Sequence, residues 1–250
     1  MRKKFTYSQK DLDEHLSKEH KMSPLSEYLR EIVYGGVDGI VTTFAVVAGF
    51  TGANSGSVAS YSFMMVLLFG FANLFADAAS MGLGNFLSIR SEKDVYKSGK
   101  DKELYEIRNN PNMEKAETIQ LLLNRGFNSK QAETLASIYE KNEDYWLEFM
   151  MTHELELPNP EGINPILTGL ATFISFIIFG FIPLSPYLVI DAIMQAFFFS
   201  VLATLTALVL LGILRFKVSK EKAVRSVGEV VLLGSVSAVV AFGVGMFFRQ

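Results

Sequence analysis

The sequence predicts an all-α membrane protein with five transmembrane helices, and its composition and charge distribution support this class. Half of its 250 residues are hydrophobic. Long stretches carry no Asp, Glu, Lys or Arg, and a water-soluble fold cannot bury several of them. These uncharged stretches are 39–76, 162–190, 192–214 and 230–248. The same observations exclude a soluble globular enzyme, and the net charge of −3 excludes a basic nucleic-acid binder.

The uncharged stretches place the five spans at about 32–53, 58–89, 163–182, 187–214 and 227–248. The second is longer than ~30 Å of hydrocarbon requires, so it should continue as a helix into the aqueous phase. An uncharged turn at 52–56 joins the first two spans. The sequence Pro183-Leu184-Ser185-Pro186 is expected to form a tight turn into the fourth.

The distribution of Lys and Arg predicts the orientation of the spans. These residues concentrate in segments 1–30, 90–161 and 215–225, and none lies in either uncharged turn. By the positive-inside rule the N-terminus is cytosolic and the C-terminus lies outside. The short loops favour a bacterial plasma membrane over a vacuolar membrane.

The chain therefore divides into four parts. The predicted parts are a cytosolic arm (1–31), spans one and two (32–89), a cytosolic acidic domain (90–161) and spans three to five (162–250).

The domain at 90–161 has 15 acidic against 10 basic residues and a helical pattern. Pro111 suits the first turn of a helix that follows a break at Asn109. Gly126 should end that helix, Ser129 should cap the next, and Asn142 should cap a third. The sequence thus predicts a three-helix cytosolic domain between spans two and three.

Two Glu-x-x-Glu pairs make this domain a candidate for cation binding. Glu103 with Glu106, and Glu114 with Glu117, each place two carboxylates on one helix face. Such pairs are also typical of a solvated acidic surface. In the third helix, two thioethers and a carboxylate lie within about one turn, a combination that suits a borderline divalent transition metal. These residues are Met150, Met151 and Glu154, and a methionine-rich core is the alternative interpretation.

Two acids fall inside predicted spans, where an ionisable side chain indicates an ion pathway. Asp38 lies among glycines in the first span, and Asp77 lies one turn before Met81 in the second. The flanking glycines permit close approach of helices or local unwinding. The alternative for Asp38 is a position near the cytosolic interface, with its carboxylate reaching water.

Several chemistries are excluded by the sequence itself. With no cysteine and three histidines, it cannot build a thiolate site or a His-rich metal centre. It contains no phosphate-binding glycine loop and no Glu-x-x-His motif of the di-iron proteins. The missing Glu-x-x-His motif argues against an iron-oxidising (ferroxidase) enzyme, which is the alternative function together with simple metal buffering.

The chain resembles the vacuolar iron transporter family from about Ser23 to its C-terminus. The segments that carry the resemblance are 26–31, 37–49 and 80–87, followed by Ser91-Glu92. The resemblance implies a homodimer that exports Fe²⁺, with Mn²⁺ and other divalent metals as further substrates, in exchange for protons. Asp77 stands where plant and fungal members more often carry a small residue.

The resemblance also implies which residues act. Its cytosolic metal-binding positions fall on Glu103, Glu106, Glu114, Glu117, Met150, Met151 and Glu154. Its translocation path matches Asp38 and Met81, with Glu27 near the entrance, and we add Asp77 to this path. The expected partners are divalent metal ions, protons, lipid and a second copy of the chain, with no nucleic acid. No catalytic residue is expected.

Overall fold

The computed structural model describes residues 8–19, 24–54, 63–219 and 222–247, and no strand occurs within these ranges. The predicted all-α class is confirmed. The helices are, in chain order, α1 (Gln9–Glu19), α2 (Pro24–Glu27), α3 (Leu29–Asn54), α4 (Phe63–Asn109), α5 (Pro111–Asn124), α6 (Ser129–Tyr139), α7 (Glu143–His153), α8 (Pro165–Leu184), α9 (Ile193–Ser219) and α10 (Ala223–Phe247). A 3₁₀ turn at Ser185–Leu188 follows α8.

Five helices are long and apolar enough to cross a bilayer, as predicted: α3, α4, α8, α9 and α10. Many of their large apolar side chains point outward, as lipid-facing helices require. Helix α4 has 47 residues, or about 70 Å of helix, so it exceeds any hydrocarbon core. The prediction that the second span continues as a longer helix is therefore confirmed. Of the turn expected at 52–56, residues 52–54 are instead the last residues of α3, and residues 55–56 lie outside the described ranges.

The connection between the third and fourth spans differs from the predicted tight turn. Helix α8 continues through Pro183 to Leu184, and Pro186 lies in the 3₁₀ turn, so α9 begins only at Ile193. A proline fixes φ in the helical range, so it is compatible with the end of a helix. The carbonyl of Pro183 accepts a hydrogen bond from the Ser200 hydroxyl at 2.7 Å, which ties this end of α8 to α9.

The described residues form two compact units. The membrane unit comprises the described parts of 1–83 and 168–250, and the acidic unit comprises 84–167. Helix α4 contributes its apolar part to the first and its polar part to the second.

In the membrane unit, glycines let α3 and α8 cross in contact. A Cβ atom on Gly39 would overlap the carbonyl oxygen of Phe176, and one on Gly35 would lie 2.7 Å from that of Thr172. From the other side, a Cβ on Gly180 would lie 2.8 Å from the carbonyl of Gly39. The sequence prediction that glycines around Asp38 allow close helix approach is thus confirmed for α3 against α8.

Caps fix the ends of the short helices in the acidic unit. Pro111 is the first residue of α5, and Gly126, with φ of +92°, follows its C-terminus. The side chain of Asn142 accepts from the backbone N–H of Tyr145 at 3.2 Å, which confirms the predicted cap of α7. For α6 the predicted cap, Ser129, is wrong by one residue. Asn128 is the cap, and it forms a reciprocal capping box with the residue at the third helical position, Gln131.

Two ion pairs and an apolar core hold the acidic unit together. Arg108 makes a two-point contact with Glu143, at 2.6 and 3.0 Å, between the end of α4 and the start of α7. Lys115 of α5 contacts Glu140 at 2.6 Å. These exposed pairs contribute little free energy, so the core supplies most of the stability. The core residues are Tyr96, Ile107, Trp146, Leu147, Met150 and Met151.

Candidate metal-binding site

Three carboxylates from three helices meet in the acidic unit. Glu103 lies on α4, Glu114 in the first turn of α5 and Glu154 at the end of α7. One carboxylate oxygen of each lies within 4.8 Å of the others. We refer to these three residues as the acidic cluster. Oxygens this close together could bind a single cation, although the three residues are far apart in sequence.

Local structure explains how the three side chains come together. The chain breaks at Asn110 and restarts at Pro111, so α5 returns alongside the end of α4 and places Glu114 near Glu103. Glu154 is the C-cap of α7, where its N–H donates to the carbonyl of Met150 at 2.9 Å. The cluster therefore depends on one helix break and one helix end.

Glu103 and Glu114 are almost entirely buried. Their exposed fractions are 3% and 2%, whereas Glu154 is exposed on one side. Oε1 of Glu103 and Oε2 of Glu114 have no hydrogen-bond partner among the described residues. A buried carboxylate without a partner is costly, so these oxygens indicate a site for a proton or a cation.

The acidic cluster holds protons near neutral pH. The pKa of Glu114 is raised to about 8, first by burial, then by the hydrogen bond that Glu114 shares with Glu103 and by the charge of Glu103. Loss of solvent around its carboxylate, followed by the charges of Glu117 and Glu114, raises the pKa of Glu154 to about 7. Glu103 and Glu114 therefore share a proton at neutral pH, and a cation that binds there must displace it.

The remaining predicted ligands of the acidic unit fall around this cluster. Glu106 and Glu117 are half-buried, and their negative charges act on both Glu114 and Glu154. Met150 and Met151 are fully buried in the core of the unit, so the methionine-rich core is present. The sulfur of Met150 lies 3.3 Å from the hydroxyl of Thr118, on the same helix as Glu114. The Met150 sulfur therefore lies in the core, against the helix that carries Glu114.

The predicted path residues all lie in the membrane unit. Asp38 is half-buried on α3, and its carboxylate is near enough to that of Asp77 on α4 for the two to repel each other. The amide of Asn73 donates to Asp77 at 2.7 Å. Met81 packs against the apolar core of the unit, and Glu27 is exposed on the short helix α2. The two acids thus lie within electrostatic range of each other, on α3 and α4.

Asp38 also lines a groove of about 730 Å³ in the membrane unit. Arg30 and Arg215 border this groove together with apolar residues of α3 and α10. Arg215 contacts Glu229 at 2.7 Å. A polar residue of the first span therefore faces an open, partly charged groove and is not packed into the apolar core.

Sequence reasoning missed three residues that contact the predicted ones. Thr118 and Trp146 form a buried hydrogen bond beside Met150, and Asn73 binds Asp77. Two of these residues lie four positions from a predicted one on the same helix, and this spacing is a signal for contact. Thr118 follows Glu114 in this way, and Asn73 precedes Asp77. The Trp146 contact joins two helices, and spacing along the chain cannot predict it.

Comparison with known proteins assigns the chain to a family. The sequence profile described as the VIT family matches residues 29–246. The chain is 34% identical to vacuolar iron transporter 1 of Arabidopsis thaliana over 231 residues, which cover 92% of this chain and 89% of that protein. It is 32% identical to the vacuolar iron transporter of Plasmodium falciparum over 249 residues, which cover 96% of this chain and 88% of the relative. The resemblance predicted from the sequence is confirmed, and the chain belongs to the VIT family.

Proposed function

We propose that this chain exports Fe²⁺ from the cytosol in exchange for protons, with the acidic unit collecting the metal. The chain is a multi-pass membrane protein of the VIT family, whose members are transporters and not enzymes. Iron is the metal in the names of its relatives. The observation that carries the proposal is the acidic cluster, because its buried and unpartnered carboxylate oxygens need a proton or a metal ion.

The ligand chemistry of the acidic unit supports Fe²⁺ and similar ions as cargo. Carboxylates alone would suit Mg²⁺, Ca²⁺ and Mn²⁺, whereas a thioether favours softer ions. Glu103, Glu114 and Glu154, with Glu106 and Glu117 around them, would compensate the charge of more than one divalent ion. Met150 and Met151 would add thioethers. Mn²⁺ and other divalent transition metals are the further proposed substrates.

The membrane unit supports a path formed by Asp38, Asp77 and Met81, with Glu27 near its entrance. Two acids that repel each other within spans favour either a proton or a dehydrated cation between them. Exchange follows if metal arrival displaces that proton. By the positive-inside rule the N-terminus and the acidic unit are proposed to be cytosolic, so metal that the acidic unit collects would leave the cytosol along this path.

A homodimer is the proposed assembly. A groove of about 810 Å³ in the membrane unit is lined mainly by alanine and glycine, which allow a second set of helices to approach closely. The lining includes Ala45, Gly49, Ala53, Ala72, Ala76 and Gly245. The membrane is proposed to be a bacterial plasma membrane or a vacuolar one, and in both cases the cargo leaves the cytosol.

Replacing Asp38 tests proton coupling directly. Asp38→Asn keeps the size of the side chain but cannot release a proton or carry a charge, so Fe²⁺ uptake driven by a pH gradient should be abolished. The assay uses the full chain in proteoliposomes, after gel filtration shows an unchanged elution position. Asp191→Asn, at an exposed position before α9, is the matched control and should transport normally. Wild-type rate and pH dependence in Asp38→Asn would contradict the mechanism.

Metal affinity of the acidic unit should rise with pH. The pKa of Glu114 is raised to about 8 in the folded protein, so between about pH 6 and 8 a metal ion displaces a proton. The affinity for Co²⁺, which resists oxidation by air, should increase about tenfold per pH unit for each proton displaced and level off above pH 8. Calorimetric titration of the full chain in detergent measures this dependence.

The same raised pKa determines how the stability of the metal-free protein depends on pH. Because the pKa of Glu114 is raised from 4.5 to about 8 in the folded protein, its contribution to the free energy of unfolding is fully present below about pH 4.5 and is lost progressively as the pH rises to about 8. Glu148 is an exposed acid on α7, so Glu148→Gln should leave the pH dependence of both Co²⁺ affinity and stability unchanged. A Co²⁺ affinity that stays constant from pH 6 to 8 would argue against protons in the acidic cluster.

The collecting role predicts slower transport when the acidic cluster is weakened. Glu103→Ala combined with Glu106→Ala removes ligands from α4 but leaves the membrane path intact. Metal affinity should fall about tenfold or more, and Fe²⁺ uptake into proteoliposomes should slow without stopping. Glu133→Ala with Glu148→Ala, which deletes two exposed carboxylates of the same unit, is the charge-matched control. Full-rate uptake by the Glu103 and Glu106 variant would contradict this role.

A further inference from the structure

We propose that Thr118, held in place by Trp146, is a positioning residue that sets the Met150 sulfur beside the acidic cluster and thereby favours metals that accept a thioether. This inference rests on the proposed metal-binding function and deepens it. It assigns a role to a threonine and a tryptophan that no ligand pattern in the sequence singles out.

The three side chains form one buried contact between α5 and α7. Thr118 and Met150 are 0% exposed and Trp146 is 2% exposed. The indole Nε1–H of Trp146 donates to Oγ1 of Thr118 at 2.7 Å, and that oxygen lies 3.3 Å from the Met150 sulfur. The Thr118 hydroxyl also donates to the backbone carbonyl of Glu114 at 2.8 Å.

The Thr118 hydroxyl has a single proton, and this limits how far it can occupy the Met150 sulfur. An indole N–H can only donate, so Trp146 occupies a lone pair of the Thr118 oxygen and the hydroxyl must direct its single proton elsewhere. Its two acceptors are the carbonyl of Glu114 and the sulfur of Met150. A carbonyl is the stronger acceptor, and it is also the closer. A thioether sulfur has two lone pairs, so even where it accepts from the hydroxyl at 3.3 Å one stays available for another partner.

The position of the contact on α5 indicates what that partner is. Glu114 and Thr118 are four residues apart on α5, so they share one face of the helix, and Met150 packs against this face. Methionine has three rotatable side-chain bonds and holds no fixed direction by itself. A hydrogen-bonded pair beside its sulfur restricts these rotations. Thr118 would thus act on the metal through Met150, as outer-shell residues act on ligands at other metal sites.

The experiment compares the metal's neighbours in wild type and variants of the full chain, purified in detergent and loaded with Co²⁺. Thr118→Val combined with Trp146→Phe removes both polar partners, which leaves no buried donor unpaired. Thr118→Val alone is the second variant, since it conserves volume. Thr118→Ser keeps the hydroxyl and should rescue the site. Thr134→Val is the matched control, because Thr134 makes the same hydroxyl contact to its own helix but is exposed on α6.

X-ray absorption at the cobalt edge reports whether a sulfur atom is bound, and calorimetry gives the Co²⁺ and Mn²⁺ affinities. Wild type, Thr118→Ser and Thr134→Val should show the sulfur neighbour. The Thr118→Val variants should lose it, with Co²⁺ affinity falling about tenfold and Mn²⁺ affinity falling less. Thermal unfolding checks that each variant is folded.

The outcomes separate this inference from the function on which it rests. A folded Thr118→Val variant that keeps the sulfur neighbour and the wild-type ratio of Co²⁺ to Mn²⁺ affinity would overturn the role of Thr118 alone. A wild-type protein that binds Co²⁺ only through oxygen would overturn the role of Met150 and this inference with it. Wild type that binds neither metal would overturn the proposed metal-binding function itself.

Discussion

A carboxylate buried without a cation must keep a proton or acquire a metal ion, and this constraint governs the acidic unit. Glu103 and Glu114 are buried against each other, with Glu154 at the open side. Burial of Glu114, followed by the hydrogen bond that protonation lets it share with Glu103, explains why the pKa of Glu114 is near 8. The fold maintains this arrangement through the helix break at Asn110 and the end of α7. In the proposed function, a divalent ion replaces the protons of this site.

The membrane unit also contains two half-buried acids that affect each other. Asp38 and Asp77 repel each other from adjacent helices, and Asn73 supplies one hydrogen bond to Asp77. The glycines of α3 determine which face of that helix carries the acid, because Gly35 and Gly39 must face α8. Packing and charge are thus coupled along one helix. In the account proposed here, both units exchange protons for metal, one while collecting the ion and the other while moving it.

Much of the fold could be predicted from the sequence, because charge-free stretches and helix caps are local signals. The five spans, the extension of α4, Pro111 and Asn142 all belong to this class. The connection around Pro183 could not be predicted, since proline is compatible both with a turn and with a helix end. Spacing placed the glutamates on helix faces, but it could not show that Glu103 and Glu114 are buried or that Trp146 reaches Thr118. Those features depend on how α4, α5 and α7 pack.

The central claim is that metal and protons move in opposite directions through this chain. The most direct measurement follows both at once, in proteoliposomes that contain the wild-type protein, an iron-sensitive dye and a pH-sensitive dye, with Fe²⁺ added outside under reducing conditions. Entry of Fe²⁺ should coincide with a rise in internal pH as protons leave, and collapsing the pH gradient with an ionophore should slow the metal. Fe²⁺ entry at an unchanged rate with no change in internal pH would contradict the account.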